Sequence, residues 1–411
     1  MKVWIFNNYN MLPEHGHLNR HYHFGRCLKE LGCEPVVFVG SHPHNTDLQL
    51  IEGPEACRVY QEGPFPWILV KTLKYGRSRK KQVLSMFQFY HNGKKAAKYA
   101  AERYGKPDVV LGSSAHPLAA VLAIRLGKKY GCRCVVEIRD LWPESIVAYG
   151  IAGPRDPVVM VLRRLEKWIY KKADALVFTM EGAYDYIVER HWEKDVPRSK
   201  VSCINNGVDL ETFNYDREHF RVYDPDLDDP DTVKVVYTGS IRLVNNMEAL
   251  VDAAKRVKDP RIKFLLWGEG DRLPALRRRV LDEGIGNVVF KGRVDKKYIP
   301  SIVSRADYNY INGSDNDIFR FGISPNKLFE YFAAGKPVLM YLRAKYDPAE
   351  RFSCGLVCET PEGLDAMLEK ISELPADEYD ALCRGAEEAA AGYDFKNLAR
   401  KLLSVTQGGG T

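Results

Sequence analysis

Two α/β domains, each a doubly wound parallel sheet with helices on both faces, are the fold this sequence predicts. Three observations carry that expectation. The chain has 411 residues, well above one average domain. Short apolar runs alternate with helix-length segments from the first residues onward. The alternation lapses in a polar, acidic stretch at 215–232 and then restarts.

In chain order, strands are expected first at Val3–Phe6, Val36–Val39, Val109–Leu111, Cys134–Ile138 and Ala175–Phe178. These runs are almost continuously apolar and rich in β-branched residues, as strands covered on both faces are. Helical patterns at Pro117–Tyr130 and Val158–Lys172 lie between them, which implies parallel strands joined by right-handed crossovers. Asn205-Asn206-Gly207-Val208-Asp209 closes this half, and 215–232 reads as a linker. The second set of strands is expected at Val233–Tyr237, Phe264–Trp267, Val288–Phe290, Tyr308–Ile311, Pro337–Tyr341 and Leu356–Cys358, with a last helical pattern at Phe395–Val405. The expected domains are 1–206 and 207–394, followed by a helix and tail at 395–411.

Composition sets the class. Hydrophobic residues at 45% and charged residues at 28% suit an ordinary globular protein with a large core. The N-terminal apolar run is too short for a signal peptide, and no stretch approaches the roughly 18 apolar residues of a spanning helix. The nine cysteines are odd in number and lack paired zinc-type spacing, which fits a reducing, cytoplasmic setting. A formal charge of +6 is mild for this size, so its distribution matters more than its total.

Ligands of open parallel sheets sit beyond the carboxyl ends of the strands. Chemistry is therefore expected at 7–19, 112–117 and 139–144, and again at 239–242, 268–270, 312–327 and 342–345. The most informative stretch runs from Gly322 through Ile323, Ser324, Pro325, Lys327 and Glu330 to Gly335-Lys336-Pro337-Val338. Ser324 suits an N-cap and Pro325 the first helical position. A helix starting there presents free N–H groups and the positive end of its dipole, a ready site for a diphosphate. Lys327 and Glu330 are three apart and share a face. Ammonium on phosphate and carboxylate on ribose would hold a nucleotide; on capping alone, this is equally a well-capped helix with an exposed Lys–Glu pair.

The whole stretch resembles the donor-binding signature of GT-B glycosyltransferases of the retaining, glycogen-synthase-like branch. It is closest to the bacterial cell-surface polysaccharide enzymes, in which Ser-Pro-x-Lys-x-x-Glu-Tyr precedes Gly-Lys-Pro-Val. Other landmarks follow in the same order: Asp140-Leu141-Trp142-Pro143-Glu144, Asn206-Gly207-Val208-Asp209, Tyr237-Thr238-Gly239, Gly268-x-Gly270 and Asn287-Val288-Val289-Phe290-x-Gly292. The resemblance spans essentially the whole chain. It implies two Rossmann-like domains facing across a cleft, and a hexosyl- or N-acetylhexosaminyl-transferring enzyme. The implied donor is a nucleotide-diphosphate sugar, UDP-linked by default. The implied acceptor is lipid-linked or a glycan. Neither a cofactor nor a metal is implied, and the anomeric configuration would be retained.

Residue by residue, the resemblance implies donor contacts at Gly16, Gly239, Ser240, Gly268, Gly270, Gly322, Ile323, Ser324 and Glu330. Arg242, Lys327 and the helix amides would stabilise charge growing on the leaving diphosphate. This sequence departs from the pattern in places. Gly322 stands where relatives carry a first glutamate that touches the donor sugar, and Ser240 and Asn245 replace a usual arginine and lysine. Arg242 and Lys327 would supply those charges.

In the first domain, Asp140 and Glu144 follow a strand end. An inverting enzyme would need a general base there, whereas the retaining reading has Asp140 orient a sugar. Asp140 is equally readable as the partner of Arg139 in a capped turn. His17, Asn19, His116 and Glu144 are the acceptor-side candidates. Four histidines between His15 and His23 invite a metal reading, but their spacing matches no zinc signature.

The segment from Pro66 to Lys81 mixes apolar residues with a basic cluster. It suggests an interfacial helix on anionic lipid, with contacts from Trp67, Lys71, Lys74, Arg79, Lys80 and Lys81. Val158–Lys172 is a second basic segment of this kind. A solvated basic face over a core helix would read the same way. Two rival functions stay open: a sugar-nucleotide epimerase of the same architecture, and a basic nucleic-acid-binding protein, although no nucleic-acid module is visible.

Overall fold

The computed structural model describes residues 1–12, 14, 19–44, 46–60, 63–76, 78–114, 116–313 and 316–409. The chain divides into two compact units, Met1–Asn205 with Phe395–Thr411, and Asn206–Asp394.

The first unit holds an eight-stranded sheet. Its strands are β1 (Lys2–Asn7), β2 (Glu34–Gly40), β3 (Cys57–Tyr60), β4 (Trp67–Val70), β5 (Val109–Ser113), β6 (Arg133–Ile138), β7 (Ala175–Phe178) and β8 (Val201–Cys203). Their order is β3-β4-β2-β1-β5-β6-β7-β8, parallel except where β3 runs against β4. Burial of Val3, Trp4, Ile5 and Phe6 on β1 explains its unbroken apolar run, because helices cover both faces. Register then sets the packing: Phe6 pairs with Phe38 across β1 and β2, and their rings stack 4.0 Å apart. The helices of this part of the chain are α1 (Arg20–Glu30), α2 (Arg79–Tyr104), α3 (Pro117–Tyr130), α4 (Glu144–Ala148), α5 (Pro157–Lys172) and α6 (Ala183–Glu189). Proline in the first turn of α3 and left-handed Gly131 just past its end bound it as the sequence suggests.

The interfacial reading of Pro66–Lys81 needs correction. Trp67–Val70 is β4, paired in parallel with β2, and Trp67 is 1% exposed. Trp67 is core, and so are the three apolar residues after it. Lys71 is half-buried and donates to the carbonyl of Gly53, while Lys74 pairs with Asp47 at 3.5 Å. Arg79, Lys80 and Lys81 do face solvent, in the first turn of α2.

The second unit carries β9 (Val233–Thr238), β10 (Ile262–Trp267), β11 (Val288–Gly292), β12 (Tyr308–Asn312), β13 (Val338–Tyr341) and β14 (Gly355–Cys358). All neighbours run parallel, in the order β11-β10-β9-β12-β13-β14. Its helices are α7 (Leu210–His219), α8 (Met247–Arg256), α9 (Leu273–Asp282), α10 (Ile299–Ser304), α11 (Asn326–Ala333), α12 (Pro348–Arg351), α13 (Pro361–Lys370) and α14 (Ala376–Gly392). The acidic stretch read as a linker is an integral part of this unit. Its N-terminal part belongs to α7, and beyond it Lys291 holds Asp224 and Asp226 at 2.7 and 2.6 Å while Arg305 holds Asp228 at 2.7 Å. The final helix, α15 (Phe395–Gln407), belongs to the first unit, where Phe395 stacks on His23 of α1.

Among the described residues no helix is long and apolar enough to cross a membrane.

Candidate active site

The strand order of the second unit reverses direction between β9 and β12, so a crevice beyond the carboxyl ends of these strands is the expected ligand position. The loop leaving β9 forms one wall. It lies beside the loop leaving β10: Gly239 N–H donates to Trp267 O, and Ile241 N–H to Glu269 O, both at 2.9 Å. Such close approach requires glycine opposite. Gly268 has φ 150°, and a Cβ there would stand 1.7 Å from the carbonyl oxygen of Gly239; a Cβ on Gly270 would stand 2.0 Å from that of Ile241. These two glycines therefore let the loops meet. Tyr331 of α11 fixes the loop from below, its hydroxyl accepting from Thr238 N–H at 2.9 Å. Asn312, ending β12, donates to Asn246 O and ties down the loop's far end.

The helix α11 begins at Asn326, with Pro325 in the cap position. Ser324 was expected to cap the helix, but its hydroxyl accepts instead from the backbone N–H of Asn206 at 2.8 Å, and its carbonyl from the Asn206 side chain at 2.7 Å. The N–H groups of Asn326 and Lys327 consequently open the helix with no acceptor among the described residues. Gly322, at φ 103°, and buried Ile323 lead the chain into this turn.

Lys327 folds back over the β9 loop. Its Nζ lies 3.9 Å from the centre of the Tyr237 ring, and a Cβ on Gly239 would come within 2.5 Å of it. The side chain keeps some surface exposure, yet protein packs densely around it. Burial pushes its pKa down to about 7, against the opposing pull of Glu330 one turn on. Glu330 is itself engaged by Lys296, at 2.9 Å, from the short turn after β11. That residue was missed at the sequence level. Ser240 and Asn245, which replace the usual cationic pair, bond each other: Asn245 Nδ2 donates to both the carbonyl and the hydroxyl of Ser240. Arg242 is exposed and has no ion-pair partner among the described residues. The structure thus brings Gly239 against Lys327 at the start of α11, with Glu330 one turn on.

The first unit is arranged differently. Gly16 and His17 lie outside the described residues, as does His15. Asp140 stands exposed beyond the end of β6, and Asn19 precedes α1 without a side-chain cap bond. His116 is fully buried between the rings of Tyr9 and Phe89. Neither of its nitrogens has a hydrogen-bond partner among the described residues, and burial drives its pKa down to about 3. Glu144 is paired with Arg163 at 2.9 Å and with Arg190. No hydrogen bond or ion pair among the described residues joins these candidates to one another.

At the carboxyl ends of β1, β5 and β6 lies a buried network that sequence reasoning missed. Glu137, 1% exposed, accepts from Arg20 Nε at 2.8 Å and from Ser113 Oγ at 2.8 Å, and meets His21 Nε2 at 3.0 Å. Burial alone would raise the carboxyl's pKa; Arg20, His21 and Arg139 together outweigh it and hold the group well below its usual range. Arg20 also donates to the carbonyls of Ile204 and Asn205, where the unit ends. Its signal, an Arg-His pair opening a helix and a lone carboxylate inside an apolar strand, was present in the sequence but masked by the nearby histidines. Among the described residues no group of three or more His, Cys, Asp or Glu side chains is placed to hold a metal ion.

Comparison with known proteins names this architecture. Residues 19–212 match the model of Glycosyltransferase Family 4, and residues 232–377 that of Glycosyl transferases group 1. The chain is a two-domain glycosyltransferase. Over 323 residues it is 24% identical to a protein of Escherichia coli (strain K12) carrying the name colanic acid biosynthesis glycosyl transferase WcaI, covering 75% of this chain and 76% of that one. It is also 24% identical, over 67% of each chain, to a Pseudomonas aeruginosa protein named as the glycosyltransferase WbjE. Sucrose-phosphate synthase from Thermosynechococcus elongatus superposes with a TM-score of 0.70 at 18% identity, over 99% of this chain and 98% of that one. Anabaena HepE in complex with UDP does so at 0.68 and 12% identity, over 99% and 100%. At these identities the structural likeness speaks for the fold, which is GT-B. The glycosyltransferase therefore has its group 1 model on the unit that carries Lys327 and Glu330.

Proposed function

We propose that this glycosyltransferase moves a sugar from a UDP-sugar, bound on the second unit, to a lipid-linked or glycan acceptor. The setting would be surface polysaccharide or glycolipid assembly on the cytoplasmic side of a membrane. The observation that carries the reading is the start of α11, where two free N–H groups open the helix, the Lys327 amine lies against the glycine loop after β9, and the Glu330 carboxylate stands one turn on. Anion-binding amides, a cation and a carboxylate that accepts from a diol are the groups a nucleoside diphosphate needs. A relative named for colanic acid biosynthesis, a second named as a glycosyltransferase, and a UDP-bound neighbour of the same fold support this choice of donor and setting.

As the glycosidic bond lengthens, negative charge moves onto the diphosphate. The amine of Lys327, protonated from solution once the diphosphate is bound, would stay paired with that charge, with the helix amides beside it and Arg242 approaching from the exposed loop. Glu330 would exchange Lys296 for the ribose hydroxyls. We assign Asp140, on the first unit, to orienting the acceptor. The configuration at the transferred carbon is retained, and no metal is required.

The test is release of UDP from UDP-sugars by the purified chain, with and without lipid-linked acceptor extract. Transfer requires both. Conversion of the sugar without any acceptor would make it an epimerase, and undiminished transfer in excess EDTA is expected.

A further inference from the structure

Gly322 takes the place of the glutamate that the sequence resemblance sets against the donor sugar. Its φ of 103° is one that L side chains rarely adopt, so the backbone here is shaped for glycine. The sugar must then be read from elsewhere. Among the described residues between β12 and α11, most polar side chains are already engaged. Asn316 accepts from the N–H of Ile318 at 3.1 Å, Asp317 faces Arg320 at 3.7 Å, and the Ser324 hydroxyl accepts from Asn206.

Asn312 is the exception. It ends β12, is 5% exposed, and donates from Nδ2 to the carbonyl of Asn246. That bond sets the amide's orientation, because the reverse one would place its oxygen against another carbonyl. Oδ1 is left buried, with no hydrogen-bond partner among the described residues. An unpaired buried acceptor destabilises the free protein, and a ligand that donates to it recovers the loss. Asn309 shows the contrast. Its Oδ1 is also unpaired, but it lies fully buried inside the strand and on the opposite face of the sheet, where its Nδ2 bonds Val303 O.

Position decides what that ligand is. In the parallel pairing of β12 with β9, Asn309 stands beside Val236. Carried three residues on, this register sets Asn312 level with Gly239, against which the Lys327 amine lies. Asn312 is therefore at the reversal of strand order, beyond which ligands bind. Diphosphate oxygens are acceptors and cannot donate to Oδ1. The ribose belongs at Glu330, whose partner Lys296 follows β11, on one side of β9 in the order β11-β10-β9-β12. Asn312 flanks β9 on the other side, where the far end of the diphosphate carries its sugar.

We infer that Asn312 is a specificity-determining residue for the donor sugar, its Oδ1 accepting a hydrogen bond from a sugar hydroxyl or acetamido N–H. This rests on the donor reading above and deepens it, by naming the group that reads the sugar in place of the missing glutamate.

The experiment is calorimetric titration of the full chain, without acceptor, on the parent and on Asn312→Ala and Asn312→Leu. The probes are UDP, UDP-glucose, UDP-galactose, UDP-N-acetylglucosamine and UDP-N-acetylgalactosamine, followed by the monodeoxy analogues of whichever UDP-sugar binds tightest. Each affinity is taken relative to that of UDP in the same variant, so that loosening of the β9 loop at Asn246 cancels. The parent should lose roughly tenfold with one monodeoxy analogue, because that analogue leaves Oδ1 buried and unpaired. Loss at the acetamido position identifies the N–H as the donor, and loss at any other position a hydroxyl. Both variants should bind the intact UDP-sugar roughly tenfold more weakly relative to UDP, and should no longer distinguish it from that analogue. Equal binding of all the analogues by the parent overturns the inference without recourse to any variant. So does a variant that binds UDP and keeps the parent's ratio of UDP-sugar to UDP, and either result leaves the donor reading standing. Absence of UDP binding by the parent would overturn both.

Discussion

Replacing Lys327 by methionine is the perturbation whose consequence the structure states most sharply, because the amine is expected to change charge on binding. In the free protein its pKa is depressed to about 7 by burial. A diphosphate arriving beside it favours the ammonium form and raises that pKa. Above pH 7 the free amine is mostly neutral, so binding must draw a proton from solution. The penalty grows by about 1.4 kcal/mol, roughly tenfold in affinity, for each pH unit until the pKa of the complex is reached. Phosphate ionisation does not mimic this, since its second proton leaves near about pH 6. The phenols against the amine do not titrate in this range either, for burial pushes both Tyr237 and Tyr331 well above the usual tyrosine value. Calorimetric titration with UDP from about pH 7 to about pH 9, in buffers of different ionisation enthalpy, reads both affinity and proton count. The wild type should bind almost two decades more weakly at the upper end and take up nearly one proton per UDP. The methionine variant should bind more weakly at pH 7 and show a flat profile. Affinity independent of pH in the wild type, or a slope that survives in Lys327→Met, would refute this placement of the charge.

Further consequences follow from the same geometry. Gly268→Ala forces a Cβ into the Gly239 carbonyl at a backbone angle L-residues rarely adopt, so it should cost about 3 kcal/mol or more and lower the calorimetric melting temperature sharply. Tyr331→Phe leaves the buried N–H of Thr238 unpaired; a loss of about 1–3 kcal/mol in denaturant unfolding is expected, together with weaker UDP binding. His116 has a folded pKa near about 3 against about 6.5 unfolded, so the unfolded chain binds the extra proton between those values and stability falls as pH falls through that window. A His116→Leu variant should lose markedly less stability on acidification than the wild type, and parallel acid curves would show that the buried imidazole is not the group responsible.

Most of the sheet framework was readable because its strands are buried on both faces. Val3–Phe6, Cys134–Ile138 and Phe264–Trp267 announce themselves by unbroken apolar runs, and both strand sets fall where such runs occur. The failures share a cause. Trp67–Val70 is a strand of four residues followed by lysine, and a short apolar run beside positive charge does not separate strand from interfacial helix. The stretch at 215–232 looks like a linker because its acids are many, and only the tertiary positions of Lys291 and Arg305 show what they pair with. At the site, local rules placed Lys327 and Glu330 on one face of a helix correctly, since three-residue spacing fixes that. They could not show that Lys296 reaches Glu330 from 34 residues earlier, or that Ser324 bonds Asn206 rather than its own helix. His116 follows a strand end, as ligand-binding residues often do, yet the packing of Tyr9 and Phe89 closes over it.

The central claim is that the start of α11 and the loop after β9 hold a nucleoside diphosphate. Calorimetric titration with UDP, GDP, ADP and TDP, on the parent chain and on the Lys327→Ala and Glu330→Ala variants, tests it most directly. UDP should bind in preference to the other three, and each substitution should weaken it by at least about 1.4 kcal/mol, a factor of ten. Absence of binding by all four nucleotides, or UDP binding that neither substitution changes, would contradict the account.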